Sequence, residues 1–99
     1  MSAPYTYYAA SALRWYFRHR DKPPEFRSEA IAKNWEICDK VVKECDPAML
    51  EIIEEVYLSA DTTGDAVYEA AKKRKIHQDN IWTMLAMIEK RFARERGLI

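Results

Sequence analysis

Glycine and proline are scarce in this chain, two and four among 99 residues, and no Asn-Gly or Gly-Gly pair occurs. Tight β-hairpins draw on such pairs because their turns need positive φ. An all-helical fold is favoured before any periodicity is counted. Net charge is also lacking: 16 Lys+Arg stand against 16 Asp+Glu. The chain as a whole therefore does not advertise a polyanion partner, and the matter turns on local pattern. No segment approaches the roughly 18 uninterrupted apolar residues of a membrane span, and the N-terminus lacks the charged-then-apolar order of a signal peptide. A soluble, cytoplasmic protein with no membrane partner is expected.

Chemistry-bearing motifs are missing as well. There is no Gly-rich phosphate loop, no nucleophile motif and no carboxylate–histidine metal spacing, and His19 and His77 lie in charged segments. No catalytic residue, metal or cofactor is expected, and the reading is not an enzyme. Glu51, Glu54 and Glu55 with Asp46 make an acidic helix face that reads as solvation. Cys38 and Cys45 lie seven apart on one predicted helix, about 10 Å of rise, too far for a mutual disulfide. They read as small buried residues.

Apolar residues reach 48%, with three Trp, six Tyr and three Phe, enough for one modest core in one domain. Charge is unevenly placed: residues 1–27 carry +3, 28–65 carry −7 and 66–99 carry +4. Basic ends around an acidic middle point weakly to a polyanion at one end.

Helical spacing divides the chain. From Pro4 to His19, Tyr5, Tyr8, Ala12 and Trp15 recur at helical intervals with Ala9, Leu13, Tyr16 and Phe17 beside them. Pro23 and Pro24 break this helix, so residues 1–22 are predicted as an aromatic helix with its linker and residues 23–99 as the helical domain. A second helix is predicted from Pro24 or Glu25 to Glu44, with Ile31, Trp35, Cys38, Val42 and Cys45 as a seam widened by Ile37 and Val41. Asp46-Pro47 is a helix-start signature for a third, to Leu58, burying Met49, Leu50, Ile52, Ile53, Val56 and Tyr57. Thr62 or Thr63 can cap a fourth, about Asp65 to Arg74, the pair Thr62 and Asp65 having capping-box spacing, with Ala66, Val67, Ala70 and Ala71 inward. The last runs from Gln78 to about Arg96, with a stripe of Ile81, Leu85, Ile88 and Phe92, Met84 at its edge and Gly97 as its stop. The fold class expected is all-α, a compact bundle of about five helices.

A short Ala-faced helix, a turn of about three residues and a long helix opening on polar residues form the outline of a helix-turn-helix over about residues 65–96. In these residues the segment 49–98 resembles region 4 of sigma-70-type transcription factors and the small prophage regulators similar to it. Ala71 stands where that family has its small residue, Ile76 at the apolar turn position and Ile81 at the aliphatic that packs the recognition helix. "IEKRFARERG" stands where its basic tail lies. The resemblance implies a small regulator of transcription binding double-stranded DNA, and it admits RNA polymerase as a second partner. The family usually has an apolar residue and then Gly at the turn. Here Arg74 and Lys75 stand there, so one of them has to adopt the left-handed conformation or the turn is rebuilt.

With Ile81 at the core, Asp79, Thr83, Ala86 and Lys90 point away, flanked by Trp82, Met87 and Arg94. Gln78 can pair with adenine, Thr83 can contact a phosphate or thymine methyl, and Lys90 or Arg94 can hold the DNA backbone. Lys72, Lys73, Arg74 and Lys75 complement the C-terminal helix dipole and would also face phosphates. Asp79 argues the other way unless it accepts from cytosine, and Trp82 is expected to be partly covered by the first helix. The alternative is a helical adaptor that binds protein and no DNA. Tyr5, Tyr7, Tyr8, Trp15, Tyr16 and Phe17 exceed what one helix face can bury, so the first helix is expected to dock on the core or to mediate a homodimer.

Overall fold

In the computed structural model, which describes residues 4–99, side-chain caps set most of the helix starts. The helices are α1 (Thr6–His19), α2 (Glu29–Lys43), α3 (Pro47–Leu58), α4 (Thr63–Arg74) and α5 (Gln78–Arg96). There is no strand among the described residues. The Ser28 hydroxyl accepts from the Ile31 amide, so α2 starts four or five residues later than expected and residues 20–28 are an irregular connection. Asp46 accepts from the amides of Ala48 and Met49 with Pro47 in the first turn, and Thr62 accepts from Asp65. His77 caps α5, its Nδ1 accepting from the Asp79 amide at 3.1 Å.

Each of the other four helices packs against α5. Its stripe of Ile81, Leu85, Ile88 and Phe92 is buried as expected, joined by Ala93 and Glu89. The α4 face of Ala66, Val67, Ala70 and Ala71 is buried too, and small side chains there let α5 approach closely. α1 docks on α5, α3 and α2. The Cα radius of gyration, 13.3 Å, is near the roughly 13 Å of a 100-residue domain.

Three faces differ from expectation. α1 buries Ala9, Ala12, Leu13, Tyr16 and Phe17 and leaves Tyr8 exposed. α2 buries Ile37, Cys38, Val41 and Val42 and leaves Ile31 exposed. In α3 only Ile53, Val56 and Tyr57 are fully buried, with Met49, Leu50 and Ile52 half-buried. The cause is common to all three. Each helix is apolar over more than one face, so neighbours rather than periodicity choose the buried stripe. Trp15, Tyr16, Phe26 and Trp35 then form an aromatic cluster between α1 and α2, with ring centroids 4.7–6.5 Å apart.

The turn between α4 and α5 is closed by a left-handed Lys75, φ 56° and ψ 42°. The Ile76 amide donates to the Ala71 carbonyl at 3.1 Å and the Lys75 amide to that of Lys72 at 3.3 Å, satisfying the last carbonyls of α4. Gly97 ends α5 in the same way, with Leu98 donating to Ala93 at 2.8 Å. Lysine bears a steric cost of about 1–2 kcal/mol in this conformation that glycine does not, while glycine loses about 0.5–1 kcal/mol more chain entropy on folding. Lys75→Gly is therefore expected to stabilise the fold by about 0.5–1 kcal/mol. A urea titration showing a loss of stability would contradict this account of the turn.

Candidate nucleic-acid interface

The candidate surface is built from the end of α4, the turn and the outer face of α5. Ile81 is fully buried and Ile76 half-buried, so the inward side of this unit is anchored. Gln78, Asp79, Trp82, Thr83, Ala86, Met87, Lys90 and Arg94 are all exposed on the other side, as the helical wheel requires. Thr83 donates its hydroxyl to the Asp79 carbonyl at 2.8 Å, which leaves its methyl and an acceptor oxygen facing outward. Trp82 is 43% exposed and has no ring partner among the described residues. α1 lies on the buried side of α5, against Phe92 through Tyr8 at 6.2 Å between ring centroids.

The four consecutive cations divide. Arg74 makes a two-pronged pair with Glu55 of α3, at 3.0 and 3.1 Å, and also donates to the Ala70 carbonyl at 3.3 Å. Its side chain is only 20% exposed. Lys73 joins the same carboxylate at 3.1 Å. These cations, Arg74 foremost, hold the Glu55 carboxyl down to about 2, and the Glu55 carboxylate in turn raises the pKa of Arg74. Arg74 and Lys73 thus tie α4 to α3. Arg74 in particular is withdrawn from the position in which it was expected to meet a phosphate, because Glu55 on α3 competes for it. Lys72 and Lys75 are exposed and make no ion pair among the described residues, and neither do Lys90 and Arg94. The Lys72 ammonium sits 5.9 Å from the exposed ring of Tyr68. Against these four cations stands Asp79, 3.5 Å from the His77 ring.

Behind this surface lies a group that periodicity did not single out. Glu89 is buried on α5 and accepts a short hydrogen bond from the Tyr57 hydroxyl of α3. The Arg14 guanidinium of α1 lies 5.8 Å from the Tyr57 ring. Burial raises the pKa of Glu89 above the usual carboxylate value and raises that of Tyr57 as well. The available signal was spacing: Glu89 follows Leu85 by four residues and so falls at the edge of the buried stripe.

Cys38 is buried and Cys45 half-buried, and neither is in a disulfide. Burial pushes the Cys38 thiol up to about 12, the reverse of an activated nucleophile. Among the described residues no group of three or more His, Cys, Asp or Glu is placed to hold a metal ion. No helix among them is long and apolar enough to cross a membrane.

No protein-family model matches the chain, and no match was found among curated proteins or solved structures.

Proposed function

We propose that this protein is a small DNA-binding regulator of transcription, in which α4, the Lys75 turn and α5 act as a helix-turn-helix and α5 enters the major groove. One observation carries the reading: α5 is held from behind by all four other helices while its opposite face stays open from Gln78 to Arg94. Along that face, an amide and a hydroxyl precede two unpaired cations, with Lys72 and Lys75 beside them. This is the order in which base edges and then phosphates are met by an inserted helix.

The test is a fluorescence-anisotropy titration with duplex DNA at two salt concentrations. Each phosphate contact contributes about −0.9 to the slope of log affinity against log salt. Replacing Lys72 and Lys75 by Gln is expected to weaken binding to every sequence and flatten that slope by up to about 2. Gln78→Ala is expected to cost about 1–3 kcal/mol on a preferred site alone. Folding stability should move by no more than about 0.5 kcal/mol, because all three side chains are exposed. No duplex binding at low salt, or a slope indifferent to both lysines, would remove the reading.

The second reading is a protein-binding adaptor. Trp82, Ala86 and Met87 place an exposed apolar strip at the centre of the α5 face, and Met87 is 51% exposed. Apolar contact of this kind suits a protein surface, and Asp79 repels phosphates there. RNA polymerase would be one partner of such a strip. A homodimer through the exposed Tyr7 and Tyr8 of α1 is a separate proposal, checked by sedimentation of the full chain.

A further inference from the structure

An open cavity of about 440 Å³ lies between α1, the irregular segment 20–28 and the start of α2. Its volume is within the roughly 300–1,000 Å³ of small-molecule sites. Tyr8, Trp15, Pro24 and Ile31 supply its apolar walls. Tyr8 and Ile31 are among the exposed large apolar residues, so an occupant would remove from water surface that the fold itself leaves wet.

The walls are held in place without an occupant. Trp15 packs edge-on against Trp35 at 5.3 Å between centroids and beside Phe26 at 6.5 Å, and its carbonyl lies 2.9 Å from His19 Nδ1. Asn34 is used at both ends of its amide: Nδ2 donates to the Tyr8 hydroxyl at 2.8 Å, and Oδ1 accepts from Arg96 Nε at 2.7 Å. Asn34 therefore fixes the wall and is not the group that reads a ligand. That task falls to the rim, where Arg27 and Glu25 are exposed and make no ion pair among the described residues. Ser11 adds a hydroxyl to the lining of the same cavity.

We propose that this cavity binds a small planar aromatic monoanion. The ring lies against Trp15 and Tyr8, where flat π-surfaces reward a ring over an alkyl chain. The carboxylate or sulfonate is taken by Arg27, whose guanidinium matches it with parallel donors, and by the Ser11 hydroxyl. Glu25 on the same rim restricts the ligand to one negative charge, because a second anionic group would meet a carboxylate. The assignment does not depend on what α5 binds.

Calorimetric titration of the full chain with naphthoate tests it, with quenching of tryptophan fluorescence as a second readout. Saturable binding at one site per chain is expected. Arg27→Gln, at an exposed position, should weaken it by about 10-fold through loss of a charge-assisted pair. Ile31→Trp should abolish it by filling the mouth, with the helical circular dichroism unchanged. Decanoate, an alkyl monoanion, should bind at least about 10-fold more weakly than naphthoate. Absence of saturable binding would overturn the proposal. So would binding untouched by both substitutions, or decanoate binding as well as naphthoate.

Discussion

Phe92→Ala is expected to lower the free energy of unfolding by about 3–5 kcal/mol, the range for truncating a fully buried aromatic side chain. Phe92 is 0% exposed on the inner stripe of α5, the helix on which the other four converge. The cavity left behind would face α1 through Tyr8, and α1 is already pinned to α2 and α3, so little collapse can fill it. Against a total of about 5–15 kcal/mol for a domain of this size, such a loss brings the protein near the threshold of folding. Met87→Ala is the matched control. It lies on the same helix but outward, and should change stability by no more than about 0.5 kcal/mol. Urea titrations of both proteins decide the matter, and similar losses in the two would mean that the buried stripe of α5 is rotated.

Tyr57→Phe is expected to destabilise by about 1–3 kcal/mol at neutral pH, since it strips the Glu89 carboxyl of its hydroxyl donor inside the core. The pH dependence separates this cause from simple packing. The folded pKa of Glu89 is raised above its usual 4.5 by burial, so the folded chain keeps a proton that the unfolded chain releases. Its contribution to stability is complete below about 4.5 and declines as pH rises from there through the folded pKa. Removing the Tyr57 hydroxyl should steepen that decline, and Glu89→Gln should remove it. The double variant, Tyr57→Phe with Glu89→Gln, should recover part of the loss if the two side chains act as a pair. Equal stability of Tyr57→Phe and the natural protein across the whole pH range would refute the pairing. The acid limb has the opposite sign and another source. Glu55, and Asp39 of α2, which accepts from Lys43 and the Tyr16 hydroxyl at 2.7 Å each, have pKa values lowered by their partners, so their stabilisation fades as pH falls, for Glu55 between about 4.5 and about 2.

The unequal legibility of these features in the sequence has a physical basis. The α5 stripe and the small face of α4 could be read because the aliphatics Ile81, Leu85 and Ile88 with Phe92, and the alanines with Val67, each recur at helical spacing along one line, which picks the inward face. The left-handed residue after α4 could be narrowed to Arg74 or Lys75, with a rebuilt turn as the alternative, and the structure places it at Lys75. A three-residue turn closing on Ala71 needs positive φ whether or not glycine is present. α1 and α2 offered two apolar stripes each, and the choice between them belongs to the packing of α5 and to the aromatic cluster of Trp15, Tyr16 and Trp35. The division of the cations was also hidden. Lys72, Lys73, Arg74 and Lys75 are alike in the sequence, and only the position of Glu55, 19 residues before Arg74, separates the cations that hold α3 from those that face outward. The cavity beside Trp15 depends on the course of residues 20–28, an irregular segment whose path no periodicity encodes.

The convergence of four helices on α5 also governs the order in which this chain can become a folded protein during synthesis. Translation delivers α1 to α4 first, and the contacts they can form among themselves join α1 to α2, α1 to α3 and α3 to α4. Leu13, Val42, Ile53 and Val67, all fully or almost fully buried in the finished molecule, would lack their central partner until residues 78–96 leave the ribosome. The nascent chain therefore carries an open apolar trough until α5 has been made. Transiently exposed surface of this kind is what chaperones shield, and completion of this core waits on the arrival of one helix.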